Sequence, residues 1–171
     1  MRLLQRNLLV VLMGSLLMVL ICDRAEATPD ACALVPRDKI AQIIGNDAPI
    51  LTQQPTTERG GAKVSSCVYQ QAGGAGNTAY ISITTLDSPV AAQARLKQYK
   101  EALVKSGGTS EPDFVGGLNA TFITSKGGQG QMFVVMGSVL VGAGVGGVVG
   151  GKAKPRRDLA RLLMAAVLAT V

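Results

Sequence analysis

Alternation of apolar and polar positions organises most of the chain beyond residue 35. Residues 36–44 carry Ile40, Ile43 and Ile44 at helical spacing, opened by Pro36 and stopped by Gly45, which predicts a short helix with one apolar face. Residues 64–70 and 79–85 read as two strands joined by a glycine-rich turn, with Ile81 and Ile83 alternating with Ser82 and Thr84. Ser88-Pro89 opens a second helix, because a hydroxyl cap precedes a proline whose missing N–H costs nothing in a first turn. Gly107-Gly108 ends that helix after Lys105, and Val90, Ala94, Leu103 and Val104 are expected on its buried side.

Residues 115–123 and 130–136 give two more strands around a turn at 126–129, and Gly137-Ser138 suits a type II′ hairpin into residues 139–145. A last helix over 156–170 has Leu159, Leu162, Leu163, Ala166 and Val167 as its stripe. Residues 46–63 contain Pro49, Pro55, Gly60 and Gly61 and read as a polar connection. The order α-β-β-α-β-β-β-α predicts an α+β fold, a largely antiparallel sheet of about five strands covered by helices.

The N-terminus has a different pattern. Arg2 and Arg6 precede an uncharged apolar run from Leu8 to Ile21, and Ala25-Glu26-Ala27 places small residues where signal peptidase reads them. Residues 1–27 are therefore expected to be a cleaved signal peptide, and residues 28–171 a single exported domain in the periplasm or outside the cell. A retained anchor needs about 20 apolar residues, and Asp23 and Arg24 interrupt the run before that. Lipid anchoring through Cys22 is the lesser alternative, since Val19-Leu20-Ile21-Cys22 has Ile21 where the lipoprotein peptidase prefers a small side chain.

Removing the signal changes the charge and cysteine arithmetic. Net charge falls from +6 to +5 as three basic and two acidic residues leave, a diffuse excess that does not argue for nucleic acid. Trp is absent and only Tyr69, Tyr80 and Tyr99 supply tyrosine, so no stacking platform for bases is expected. Loss of Cys22 leaves Cys32 and Cys67, an even pair in an oxidising compartment, which predicts a structural disulfide.

Three nucleotide and membrane motifs can be drawn on residues 142–152, GAGVGGVVGGK. Gly142, Gly144 and Gly147 spell GxGxxG, but no helix pattern follows and no acidic residue lies among residues 164–170, where a ribose ligand belongs. Gly146, Gly151 and Lys152 match GxxxxGK, but Ala153 stands where Ser or Thr should hold Mg²⁺. Gly142, Gly146 and Gly150 also recur every fourth residue within the uncharged segment 132–151, a glycine zipper that supports a membrane-associated alternative. Seven of those 20 residues are Gly, and Gly137-Ser138 divides the run where a hairpin would turn, which favours strand and loop.

Catalytic chemistry finds little to work with. The chain has no His, the usual general base near neutral pH and the commonest transition-metal ligand. Ser65 and Ser66 beside Lys63 suggest a Ser/Lys pair only by adjacency, and Glu111 and Asp113 around Pro112 read as loop charges that could share one face of an extended segment. Lys152, Lys154, Arg156 and Arg157 form a basic cluster that an anionic partner could use, with a solvated turn as the plainer reading. No catalytic residue, cofactor or metal ligand is expected.

Asp30-Ala31-Cys32-Ala33-Leu34-Val35, Ile43-Ile44-Gly45 and Ser66-Cys67-Val68-Tyr69 resemble the motifs of a family of small bacterial exported proteins and lipoproteins of unknown function. Val115-Gly116-Gly117-Leu118 resembles a later element of that family, although Asn119-Ala120 departs from its Gly-Asp pattern. The resemblance implies a helix-covered antiparallel sheet similar to the PsbP-like fold and no known activity. The expected function is a non-catalytic cell-envelope domain that binds an envelope protein or a small ligand.

Overall fold

The computed structural model describes residues 28–45, 50–70, 77–126, 129–149, 152–153 and 157–171. The expected signal peptide and Cys22 lie outside the described residues. Three helices, α1 (Arg37–Ile44), α2 (Pro89–Lys105) and α3 (Arg157–Leu168), accompany strands β1 (Ile50–Arg59), β2 (Ala62–Gln70), β3 (Asn77–Thr85), β4 (Thr109–Val115), β5 (Leu118–Thr124), β6 (Gly130–Met136), β7 (Val139–Val149) and β8 (Lys152–Ala153). Seven strands lie in the order β1-β2-β3-β7-β6-β5-β4, every pair antiparallel, and the two-residue β8 pairs with β7.

The topology follows from one crossover. Two hairpin steps bring the chain to β3 at the centre, α2 carries it to the far edge, and β4 to β7 return strand by strand until β7 pairs with β3 from Asn77↔Gly147 to Thr85↔Val139. Period-two alternation then gives each strand two faces. Ala79, Ile81 and Ile83 of β3, Val141, Ala143 and Val145 of β7, and Met132 and Val134 of β6 are buried with α1 and α3 in the main core. On the other face, Ile123, Phe133 and Leu140 form a smaller cluster with Leu86, Leu96 and Leu103 beneath α2.

The sheet is larger than the five strands the pattern predicts. Residues 50–59 form an edge strand instead of a connection, and β4 adds a strand at residues 109–115. An edge strand has one partner and need not carry an apolar stripe, so ILTQQPTTER and TSEPDFV read as polar loops. Each also contains a proline, which is tolerated at an edge because its missing N–H would point outward. The turns were the available signal. Gly60-Gly61 and Gly116-Gly117 each join paired strands with two consecutive positive φ angles, 58° and 73°, then 59° and 81°, the type I′ geometry that Gly-Gly favours. At the expected type II′ hairpin, Gly137 has φ 56° and Ser138 does not enter the positive region, with Met136 facing Val139.

Both long helices begin where expected but bury partly different residues. The Ser88 hydroxyl accepts from the Ala91 N–H at 3.1 Å, capping α2. Ala92, Leu96, Tyr99 and Leu103 follow helical spacing toward the sheet, whereas Val90 and Val104 are exposed and Ala94 points outward. In α3, Ala160, Leu163, Met164 and Val167 are buried, and Leu162 is exposed. Each correction is a rotation of about one residue around the helix, because small Ala92 and Ala160 can sit closest to the sheet.

Cys32 and Cys67 are bonded, with Cα atoms 5.2 Å apart. The disulfide ties the segment before α1 to β2. The Ala31 N–H donates to the buried Ser65 hydroxyl at 3.0 Å, and the Tyr69 hydroxyl donates to the Cys32 carbonyl at 3.1 Å. Among the described residues no helix is long and apolar enough to cross a membrane.

Candidate functional site

α2 packs over β4, β5, β6 and β7 on that side of the sheet. A cavity of about 100 Å³ remains between β3, β6 and the helix. The alternation that buries Ile81 and Ile83 on the opposite face turns Tyr80, Ser82 and Thr84 into this groove. Tyr99 from α2 and Gln131 and Phe133 from β6 close it.

The glycines of β7 make the trough. Gly144 sits between Tyr80 and Gln131, and Gly142 between Ser82 and Phe133, in register across three strands. A Cβ on Gly142 would stand 2.5 Å from Ser82 Oγ and 3.0 Å from the Phe133 ring; one on Gly144 would stand 2.8 Å from the Gln131 side chain. Absence of those methyl groups lets side chains of β3 and β6 lean over the central strand. Gly142, Gly144 and Gly147 of the dinucleotide pattern and Gly142 and Gly146 of the zipper spacing all lie on β7, a strand hydrogen-bonded on both sides, with no loop opening into a helix among them.

Every side chain in this lining is uncharged. Ser82 and Thr84 are buried hydroxyls, lining the groove with the Tyr80 phenol. Burial pushes the Tyr80 hydroxyl above its ordinary pKa, the Ser82 hydroxyl opposing and nearby Tyr99 adding to the rise. Tyr99 stacks on Phe133 with ring centroids 5.8 Å apart, and the Arg95 guanidinium, one helical turn earlier, lies over the Tyr99 ring at 5.2 Å. The groove therefore offers hydroxyls and an amide in a partly desolvated setting. It offers no carboxylate, thiol or imidazole to activate them.

A second polar cluster is structural. Glu111 and Asp113 do share one face, that of β4, where α3 lays two arginines across them. Asp113, with a side chain 4% exposed, accepts from Arg157 Nε and Arg161 Nη2, each at 2.8 Å, and from the Phe114 N–H at 2.7 Å. Burial raises the Asp113 pKa, but these hydrogen bonds outweigh it and hold the carboxyl lowered to about 2. Arg157 also reaches Glu111 at 2.6 Å and the Pro112 carbonyl at 3.1 Å, stapling the edge strand to α3.

The other residues singled out in the sequence are dispersed. Arg157 is the member of the basic cluster whose side chain is described, and it is turned onto β4; Lys152 contributes backbone to β8, and Lys154 and Arg156 lie outside the described residues. Lys63 pairs with Glu58 at 3.8 Å, while Ser65 holds Ala31 on the core side and Ser66 faces the opposite side of the sheet. Among the described residues no three His, Cys, Asp or Glu side chains gather as a metal site. Tyr80, Tyr99, Gln131 and Arg95 were not anticipated, and the one trace of them in the sequence was the run of polar residues on a strand whose polar side turned out to be buried.

No family model matches this chain, and no curated protein matches it significantly. Among solved structures, it is similar to the extracellular domain of PknH from Mycobacterium tuberculosis. The TM-score is 0.51 at 9% sequence identity, covering 85% of this chain and 97% of that one. The likeness is one of fold, an antiparallel sheet with helices.

Proposed function

We propose that this chain is a non-catalytic exported domain of the cell envelope that binds a small ligand in the groove between β3, β6 and α2. The observation that carries the reading is the trough over Gly142 and Gly144, where buried hydroxyls and an amide converge without a nucleophile–base pair. Small-molecule sites combine a concave surface with a few fixed polar groups, and this groove has that character at small scale. Export is supported by the signal-like N-terminus, by the Cys32–Cys67 disulfide and by the extracellular setting of the protein with the similar fold.

The test is a thermal-shift screen of the exported protein against small polar metabolites, repeated with Thr84→Val and Gln131→Met, which keep approximate volume while removing polar groups. Compounds that stabilise the protein should lose at least threefold in affinity in both variants. Stabilisation unchanged in both would place binding elsewhere and contradict the reading.

A further inference from the structure

The groove has neutral walls, yet one of its lining residues, Tyr99, has a cation packed over its ring. Arg95 and Tyr99 are four residues apart on α2 and share one side of the helix, and Tyr99 lines the cavity. The Tyr99 ring fixes the Arg95 guanidinium at 5.2 Å, and its own stacking on Phe133 fixes the ring. Arg95 Nε is buried without a hydrogen-bond partner, and no carboxylate among the described residues forms an ion pair with the side chain. A guanidinium partly withdrawn from water without an acceptor carries an unmet desolvation cost. Arg157 and Arg161 show the contrast, since each is matched by Asp113.

We infer that the groove takes a small organic monocarboxylate, with its carboxylate on Arg95 and its polar body against Thr84, Ser82 and Gln131. This rests on the groove being the binding site, as proposed above. The Arg95 charge matches a singly charged head, and the planar guanidinium suits the two oxygens of a carboxylate. The cavity of about 100 Å³ corresponds to roughly three water volumes, so the body that enters is about as large as a three-carbon hydroxy acid. Hydroxyls on that body match the Ser82 and Thr84 side chains, and the positive net charge of the chain attracts an anion from a distance.

Calorimetric titration of the exported protein with glycerate, lactate and glycerol tests this, since glycerate and glycerol differ only in the carboxylate. Glycerate should bind at least tenfold tighter than glycerol, and more weakly as salt is raised. Arg95→Gln should abolish that preference, Arg95→Lys should retain part of it, and Thr84→Val should weaken glycerate more than lactate. Equal binding of glycerol and glycerate, unaffected by Arg95→Gln but weakened by Thr84→Val, would overturn the carboxylate assignment and leave the groove as the site. Absence of carboxylate binding overturns the assignment as well. Carboxylate binding that survives both Arg95→Gln and Thr84→Val overturns the assignment and the groove together.

Discussion

Asp113→Asn isolates the electrostatic staple between β4 and α3. The carboxyl is held at about 2 against an ordinary value of 3.8, with its side chain only 4% exposed. Each pKa unit corresponds to about 1.4 kcal/mol, so the difference between folded and unfolded chains is worth at most about 2.4 kcal/mol. Arg157 and Arg161 are 36% and 44% exposed, and solvent screening reduces the expected figure to about 1–2 kcal/mol. The sign follows from the lowered folded-state pKa. The stabilisation is complete well above pH 4 and is lost as pH falls from about 4 through about 2, where both states become protonated. Urea denaturation of the wild type and Asp113→Asn at pH 7 and at pH 2 measures the gap directly. A gap of about 1–2 kcal/mol at pH 7 that closes toward pH 2 is expected; equal stability at pH 7, or a gap independent of pH, would refute the reasoning.

Replacing Cys32 and Cys67 together by serine should cost about 3–4 kcal/mol in the chain-entropy model, for a sequence separation of 35, read as a lower denaturation midpoint with an increased slope. Ser88→Ala removes the hydroxyl that accepts the Ala91 N–H and should cost about 1 kcal/mol in the same assay, with Ser88→Asp close to neutral. Gly142→Ala brings a methyl group against Ser82 and Phe133, and should cost about 1–3 kcal/mol while weakening ligand binding; unchanged stability and binding would show that the trough is not closed as described.

The interior of the fold was legible because central strands and helices announce themselves chemically. Ile81 and Ile83 alternating with Ser82 and Thr84 defined β3, and Ser88-Pro89 placed the start of α2. The edges were not, because β1 and β4 are held by backbone pairing and, in β4, by Arg157. Rotation of a helix is also weakly written, since Val90 and Ala92 are both apolar and only packing decides that Ala92 is buried and Val90 exposed. The groove was illegible for a further reason. It needs Tyr80, Gly144 and Gln131 on three adjacent strands and Tyr99 on a helix above them, a juxtaposition set by the β3–β7 pairing. The same pairing explains why the glycines suggested phosphate loops, since both uses exploit a missing Cβ.

The three tyrosines provide the most direct test of the groove, because two line it and the third lies on the opposite face. Tyr69 is 1% exposed and donates to the Cys32 carbonyl, whereas Tyr80 and Tyr99 border the cavity. With ring-labelled tyrosine, NMR titration of any compound that stabilises the protein should shift the Tyr80 and Tyr99 signals and leave Tyr69 in place. Saturable binding that moves Tyr69 alone, or none of the three, would contradict a ligand seated between β3, β6 and α2.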